Sequence, residues 1–400
     1  MKKRSLIIIF VLILTLTTFL AACGNDSSSG TGSKAKKTIV IGQMATLTGS
    51  AASVGVPQSN GVKMAVKEIN DAGGIKVGND KYKIKLITYD DEGNPQAGAT
   101  AMQRLLNSDK VKFIVGTVSS AVDGATEPML RGKNVINVIV GSALAGSTKN
   151  PNNYRPRVII PQYVDATSKY LIDKDVKTVA LLTDKQHAGY VNLTDSLIKE
   201  LEVAGIKVVS NEFYTFGDTN FATQLTSIKK FNPDAINIRG YQNDVVLATM
   251  QAKDLGLNSL IVTGSGITTE VEAHNATAAM EGNIDITPPT AVDLSALGET
   301  KAKEFIENYR KNFNADPGFT TLSAYGGVYI LATAIEKAGT VENIEKIKKE
   351  MDNLSVKDVP ELVEPILEQN GKIFKDRQAS FKMVLREFKD GKFTPVKFLE

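Results

Sequence analysis

Few side chains in this sequence are spaced for chemistry, and those few suit holding a small anion better than transforming one. Thr117-Val118-Ser119-Ser120 falls between an apolar run, Phe113 to Val115, and a helix-like segment. Backbone N–H groups and hydroxyls at such a junction hold a carboxylate readily, and serine there is equally a preferred helix cap. Arg239 ends another apolar run, Asp234 to Ile238. A guanidinium at a strand end clamps a carboxylate in two-pronged fashion, or pairs with Asp244 at the surface. His187 and His274 are the only histidines, far apart, and no G-x-S-x-G, H-E-x-x-H or Walker A motif accompanies them. Asp90-Asp91-Glu92 lacks the alternating spacing of an EF-hand and reads as a solvated loop ahead of an Asn94 cap. The sequence therefore predicts no enzyme, no metal and no cofactor.

The remaining reactive group is the thiol of Cys23, the one cysteine in 400 residues. It follows Lys2-Lys3-Arg4, an apolar run from Leu6 to Leu20, and Ala21-Ala22. This order is that of a secretory signal, shorter than the roughly 20 apolar residues of a spanning helix. Leu20-Ala21-Ala22-Cys23 resembles the bacterial lipobox, which implies residues 1–22 as a lipoprotein signal peptide and Cys23 as the lipidated first residue. Residues 23–37, reading GNDSSSGTGSKAKK after the cysteine, form a polar tether with nothing to bury. The expected location is the outer face of the cell membrane, or the periplasmic side where an outer membrane exists.

Loss of the signal removes three of the 47 basic residues and none of the 44 acidic ones, which leaves 44 against 44. A neutral chain has no basic excess with which to hold a nucleic-acid backbone. With its one cysteine acylated it forms no intrachain disulfide or zinc–thiolate site, so stability rests on a core drawn from 42% apolar residues.

Strand-like and helix-like segments alternate through the body. Thr38 to Gly42 reads as a strand, Asn60 to Ala72 as a helix stopped by Gly73-Gly74, and Ile84 to Tyr89 as a strand. Asn94-Pro95 opens a helix through Leu106. The rhythm resumes with strands at Thr178–Thr183, Ile206–Glu212, Asp234–Ile238 and Leu260–Thr263. Helices fall at Ala188–Ala204, from Asp218 or Thr219 to Phe231, and at Asp244–Leu255. A C-terminal hairpin turns at Asp390-Gly391. The expected class is α/β, with parallel sheets covered on both faces. Proline clusters at Pro151, Pro156 and Pro161, at Pro288 and Pro289, and at Pro360 and Pro365 mark three crossings between two doubly wound lobes. Lobe one takes 38–155 plus 288–362, and lobe two 156–287 plus 363–400.

Ile41 to Ile75 resembles the opening of the branched-chain amino-acid binding-protein family, type I periplasmic binding proteins that serve ABC importers. The likeness is carried by Leu47-Thr48-Gly49, Gly55, Asn60-Gly61 and Ala72-Gly73-Gly74-Ile75. It continues through Tyr89-Asp90-Asp91, Val115-Gly116 with Ser119-Ser120, Asp184 with Gly189-Tyr190, and Gly240-Tyr241, from about Ile39 to Val396. It implies a monomer whose two lobes close on a small amino acid or organic carboxylate and deliver it to an ABC permease. A sensory receptor of the same fold, or a lipoprotein enzyme, is the alternative. Carried over residue by residue, the resemblance implies a ligand site of Ser50, Val54, Ser119, Ser120, Ser142, Ala143, His187, Tyr190, Arg239, Tyr241 and Ser265.

Two departures bear on the solute. Relatives that bind leucine-like amino acids place a glutamate where this chain has Ser265, and a hydroxyl does not compensate a buried ammonium. Glu270 or Glu272 takes that role if the loop is arranged differently. Val54 stands where relatives often place an aromatic residue. Arg239 without a glutamate partner suits an amine-free acid, aromatic or short aliphatic.

Overall fold

The computed structural model describes residues 37–49, 51–144, 146–267 and 270–399. Cys23, the signal peptide, all but the last residue of the tether, and Ser50 lie outside the described residues. Among those described, no helix is long and apolar enough to cross a membrane.

The first sheet forms from β1 (Lys37–Ala45), β2 (Ile75–Val77), β3 (Asp80–Asp90), β4 (Phe113–Gly116), β5 (Ile136–Ile139) and β6 (Asn153–Tyr154). Their spatial order is β2-β3-β1-β4-β5-β6, parallel except for β2 against β3. The β2–β3 hairpin adds a strand the sequence reading lacked, turning at Gly78-Asn79 with Gly78 at φ +61°. Helix α1 (Ala52–Asp71) buries Val62, Val66 and Ile69 on one face. It ends where the Gly74 amide bonds Ile69 O at 2.8 Å with φ +97°. Helix α2 (Pro95–Gln103) is capped by Asn94, whose side chain accepts from the Gln96 and Ala97 amides at 2.8 and 3.2 Å. It runs on into a π turn over Arg104–Ser108. Helix α3 (Ser120–Leu130) starts behind β4.

The second sheet comprises β7 (Thr178–Asp184), β8 (Lys207–Tyr214), β9 (Ala235–Arg239), β10 (Leu260–Thr263) and β11 (Ile284–Thr287), all parallel. Between and before them run α4 (Ile160–Asp173), α5 (Ala188–Val203), α6 (Ala222–Lys229) and α7 (Gln242–Asp254). Helix α6 begins three or four residues later than the sequence suggests, because the Asp218 carboxylate instead accepts from the Thr215 amide and closes a turn. After β11 the chain forms α8 (Thr300–Phe313), α9 (Thr321–Ala338) and α10 (Ile344–Met351). Helix α9 packs on α1 and on β2, β4 and β5. A small sheet of β12 (Ile366–Leu367), β13 (Phe374–Lys375) and β14 (Gln378–Phe381) precedes β15 (Met383–Lys389) and β16 (Lys392–Leu399). That last hairpin adds antiparallel to β11, completing the order β16-β15-β11-β10-β9-β7-β8.

The fold is α/β, with two doubly wound, predominantly parallel lobes joined by three chain crossings. Arg155, at the first crossing, pairs in bridge fashion with Gln378 at the start of β14. The Gln378 Nε2 donates to Arg157 O at 2.6 Å.

Candidate functional site

Parallel strands present their carboxyl ends, and the helix N-termini that follow them, to one crevice. Here the ends of β4, β5, β7, β9 and β10 from both sheets face the same crevice. Val54, Ala143, His187, Tyr190, Tyr241 and Ser265, six of the eleven residues drawn from the sequence, line it. Val118, Arg157, Tyr163, Gln242 and Phe319 complete most of the wall. The lobes meet across it: Ser120 Oγ lies 3.1 Å from where a Cβ on Gly189 would stand. The enclosed volume is about 30 Å³, room for roughly two waters. The approach of Ser120 to Gly189 brings the two lobes together at the rim of this volume.

The lobe-two wall is aromatic. His187 caps α5, its Nδ1 accepting from the Tyr190 amide at 3.2 Å, and its ring stacks on Tyr190 at 4.0 Å and 28°. Tyr241 stands edge-on to both, 5.6 Å from His187 and 6.0 Å from Tyr190, with Phe216 4.7 Å behind it. Burial, helped by the positive charge of Arg157, lowers the His187 pKa to about 4. Burial raises the Tyr190 phenol well above its ordinary value.

The remaining sequence candidates are placed differently. Ser119 caps α3, its Oγ accepting from the Val122 amide at 3.3 Å. Ser142 is fully buried and donates to Asp123 Oδ2 at 2.7 Å, with Ser120 Oγ 3.3 Å away. Neither Ser119, Ser120 nor Ser142 lines the crevice; this layer of hydroxyls backs it. Burial raises the pKa of the Asp123 carboxyl, and hydrogen bonds from Ser142 and Ser147 oppose the shift.

Arg239 also lies behind the wall. It is 1% exposed, donates from Nε to Asn237 Oδ1 at 2.9 Å and from Nη2 to Thr167 Oγ1 at 2.8 Å. A Cβ on Gly264 would stand 1.7 Å from its Nη1, so only glycine there lets the guanidinium tuck under the lining. Arg239 and Asp244 form no ion pair; Asp244 accepts from the Gly217 amide at 3.2 Å. The reason is direction: Arg239 turns inward toward α4 while Asp244 turns toward the Gly217 loop.

Ser265 lines the crevice with its hydroxyl already engaged, donating to Gly240 O at 2.7 Å, while its amide donates to Asp285 Oδ1 at 3.0 Å. Glu270 and Glu272 do not reach the crevice. They line a separate cavity of about 270 Å³ with Asp293, Arg386, Phe388 and Phe393. Asp91 is fully buried rather than solvated, because Thr46, Thr117 and the Gly93 amide all bond its carboxylate. Among the described residues no cluster of His, Cys, Asp and Glu is arranged to hold a metal.

Tyr163, Gln242, Phe319 and Arg157 are wall residues that sequence reasoning missed, and Arg157 is the charged one. It lies on the first crossing, 8% exposed, its guanidinium 5.0 Å from the Phe319 ring centroid. Its signal was its position, the second arginine of Arg155-Pro156-Arg157 inside a proline-marked crossing.

Known proteins share this arrangement. The model of the family described as periplasmic binding protein matches residues 38–392. The chain belongs to the periplasmic binding protein family. Among curated relatives of this family member, the Leu/Ile/Val-binding protein BraC3 of Rhizobium johnstonii is 32% identical over 316 residues, covering 77% of this chain and 82% of that protein. Two solved structures resemble it. Leucine binding protein LivK of Thermotoga maritima superposes with TM-score 0.80 at 24% identity, covering 91% of this chain and 99% of LivK. LivJ, the branched-chain amino acid transporter substrate binding protein of Streptococcus pneumoniae in complex with isoleucine, gives 0.76 at 25%, covering 90% and 100%.

Proposed function

We propose that this binding protein is the extracytoplasmic solute receptor of an ABC importer, a non-enzymatic monomer closing on a small amino acid or organic carboxylate. The observation that carries the proposal is the enclosed crevice, built from strand ends of both sheets and shut in the present conformation. Contacts to both lobes exist only when it is shut, so solute binding and closure are coupled, and a permease reads occupancy as shape. BraC3 and the isoleucine-bound LivJ support the assignment. The three proline-marked crossings act as the hinge, and the lobes divide as 38–155 plus 288–362 and 156–287 plus 363–400. Leu20-Ala21-Ala22-Cys23 supports a thioether-linked lipid on Cys23, which keeps the receptor concentrated beside its permease.

The test is a thermal-shift screen with amino acids and organic acids, followed by NMR of the recovered solute. Stabilisation with the solute returned unchanged supports the receptor; conversion of the solute refutes it. Release of the Cys23→Ala protein into the medium or periplasm checks the anchor.

A further inference from the structure

Arg157 carries a consequence for the solute. It is more than nine-tenths buried, lines the crevice, and forms no hydrogen bond or ion pair through its guanidinium among the described residues. Its Nε is shut away from solvent without a partner. A buried cation with no contact ion pair is costly, and the Phe319 ring together with the charge of the buried Glu364 carboxyl, which bonds Ser323 rather than Arg157, offsets part of that cost only.

No carboxylate lines the crevice to neutralise it. The carboxylates nearby are turned to other partners. Asp91 is held by Thr46 and Thr117, Asp123 by Ser142 and Ser147, and Glu364 by Ser323. Asp184 Oδ1 accepts from the Gln186 amide, its Oδ2 is buried without a partner, and the carboxyl is not part of the crevice lining. A second guanidinium, that of Arg239, lies directly under Gly264. Among the described residues Arg157 is therefore the one charged side chain lining the crevice, and its guanidinium can only donate. The Tyr190 and Tyr241 hydroxyls also form no hydrogen bond within the protein among the described residues.

We infer that Arg157 selects the solute, pairing through its free guanidinium with the carboxylate of a small organic acid that bears no ammonium group. The acid's apolar part lies among Tyr163, Tyr190, Tyr241 and Phe319, whose faces suit a branched aliphatic chain or one aromatic ring. An α-ammonium would enter a site with a guanidinium already present and no acid facing it. This rests on the receptor reading above and narrows it.

Calorimetry separates the two. The probes are 4-methylpentanoate and benzoate as amine-free acids, leucine as the amino acid with the first one's carbon skeleton, and isoamylamine as the amine alone. The two acids bind the wild-type protein, leucine binds at least tenfold more weakly than 4-methylpentanoate, and isoamylamine does not bind. Arg157→Gln weakens the acids about 10- to 100-fold, the range for a hydrogen bond to a charged group. Arg157→Lys keeps the charge and recovers part of the loss, and melting curves of both unliganded variants verify that they fold. Tighter binding of leucine than of 4-methylpentanoate, or unchanged acid affinity in Arg157→Gln, overturns the inference and leaves the receptor standing. Binding of none of the four overturns both.

Discussion

His187 offers the sharpest test of how the closed crevice is held together. Its Nδ1 accepts the Tyr190 amide at the start of α5, so the ring must be unprotonated there, and Tyr190 covers one face at 4.0 Å. Burial first, and the Arg157 charge second, lower its pKa from 6.5 to about 4. The folded state thus binds fewer protons than the unfolded state between these values. The contribution is fully present above pH 6.5 and is lost as pH falls toward 4. A shift of that size corresponds to at most about 3 kcal/mol, or roughly 4 °C in melting temperature for a chain of this length. The perturbation is His187→Asn, which keeps a capping side chain and removes the titration. Melting curves from pH 7.5 to pH 4 are compared as differences between the two proteins. The variant is expected to fall below the wild type at pH 7.5 by the packing of the lost ring and to recover on it steadily below pH 6.5. Parallel curves over the whole range would refute the reasoning.

Three further expectations follow from the same structure. Glu364 is buried with only Ser323 donating to it, and burial raises its pKa to about 7. Stability therefore falls as pH rises from about 4.5 to 7, and Glu364→Gln should exceed the wild type at pH 8 by up to roughly 3 kcal/mol in urea unfolding, with no difference at pH 4. Arg386, 2% exposed, pairs with Asp285 and lies 3.9 Å from Asp293. Arg386→Met leaves those carboxylates buried without their counter-charge and should cost about 3–5 kcal/mol by the same measurement. Asn94→Ala removes both cap bonds of α2 and should cost about 1 kcal/mol, read as a shift in urea midpoint with unchanged slope.

The alternation of strands and helices was legible because its signals are local. Asn94-Pro95 sets one helix start, Gly73-Gly74 one helix end, and Asp390-Gly391 the turn between β15 and β16. What depends on distant partners was not legible. Asp91 reads as solvated beside Asp90 and Glu92, and is buried only because Thr46 and Thr117 arrive from other strands. Arg239 sits at a strand end, as expected, yet faces Thr167 on α4, 72 residues earlier. Arg157 belongs to no strand or helix and gains meaning only where the first crossing brings it beside Phe319. Local propensity finds elements; the charge of a crevice is a property of their assembly.

The order in which the chain visits its two sheets also constrains how the protein can be made. All six strands of the first sheet are complete by Tyr154, but α9, which covers α1 and β2, is not translated until residues 321–338. The second sheet has five strands by Thr287, and β11 remains an unpaired edge until Met383–Lys389 appears. The first half therefore lacks its covering helix until residue 338 and the second keeps an open sheet edge until the C-terminal hairpin emerges, so each half stays incomplete long after most of its strands are made.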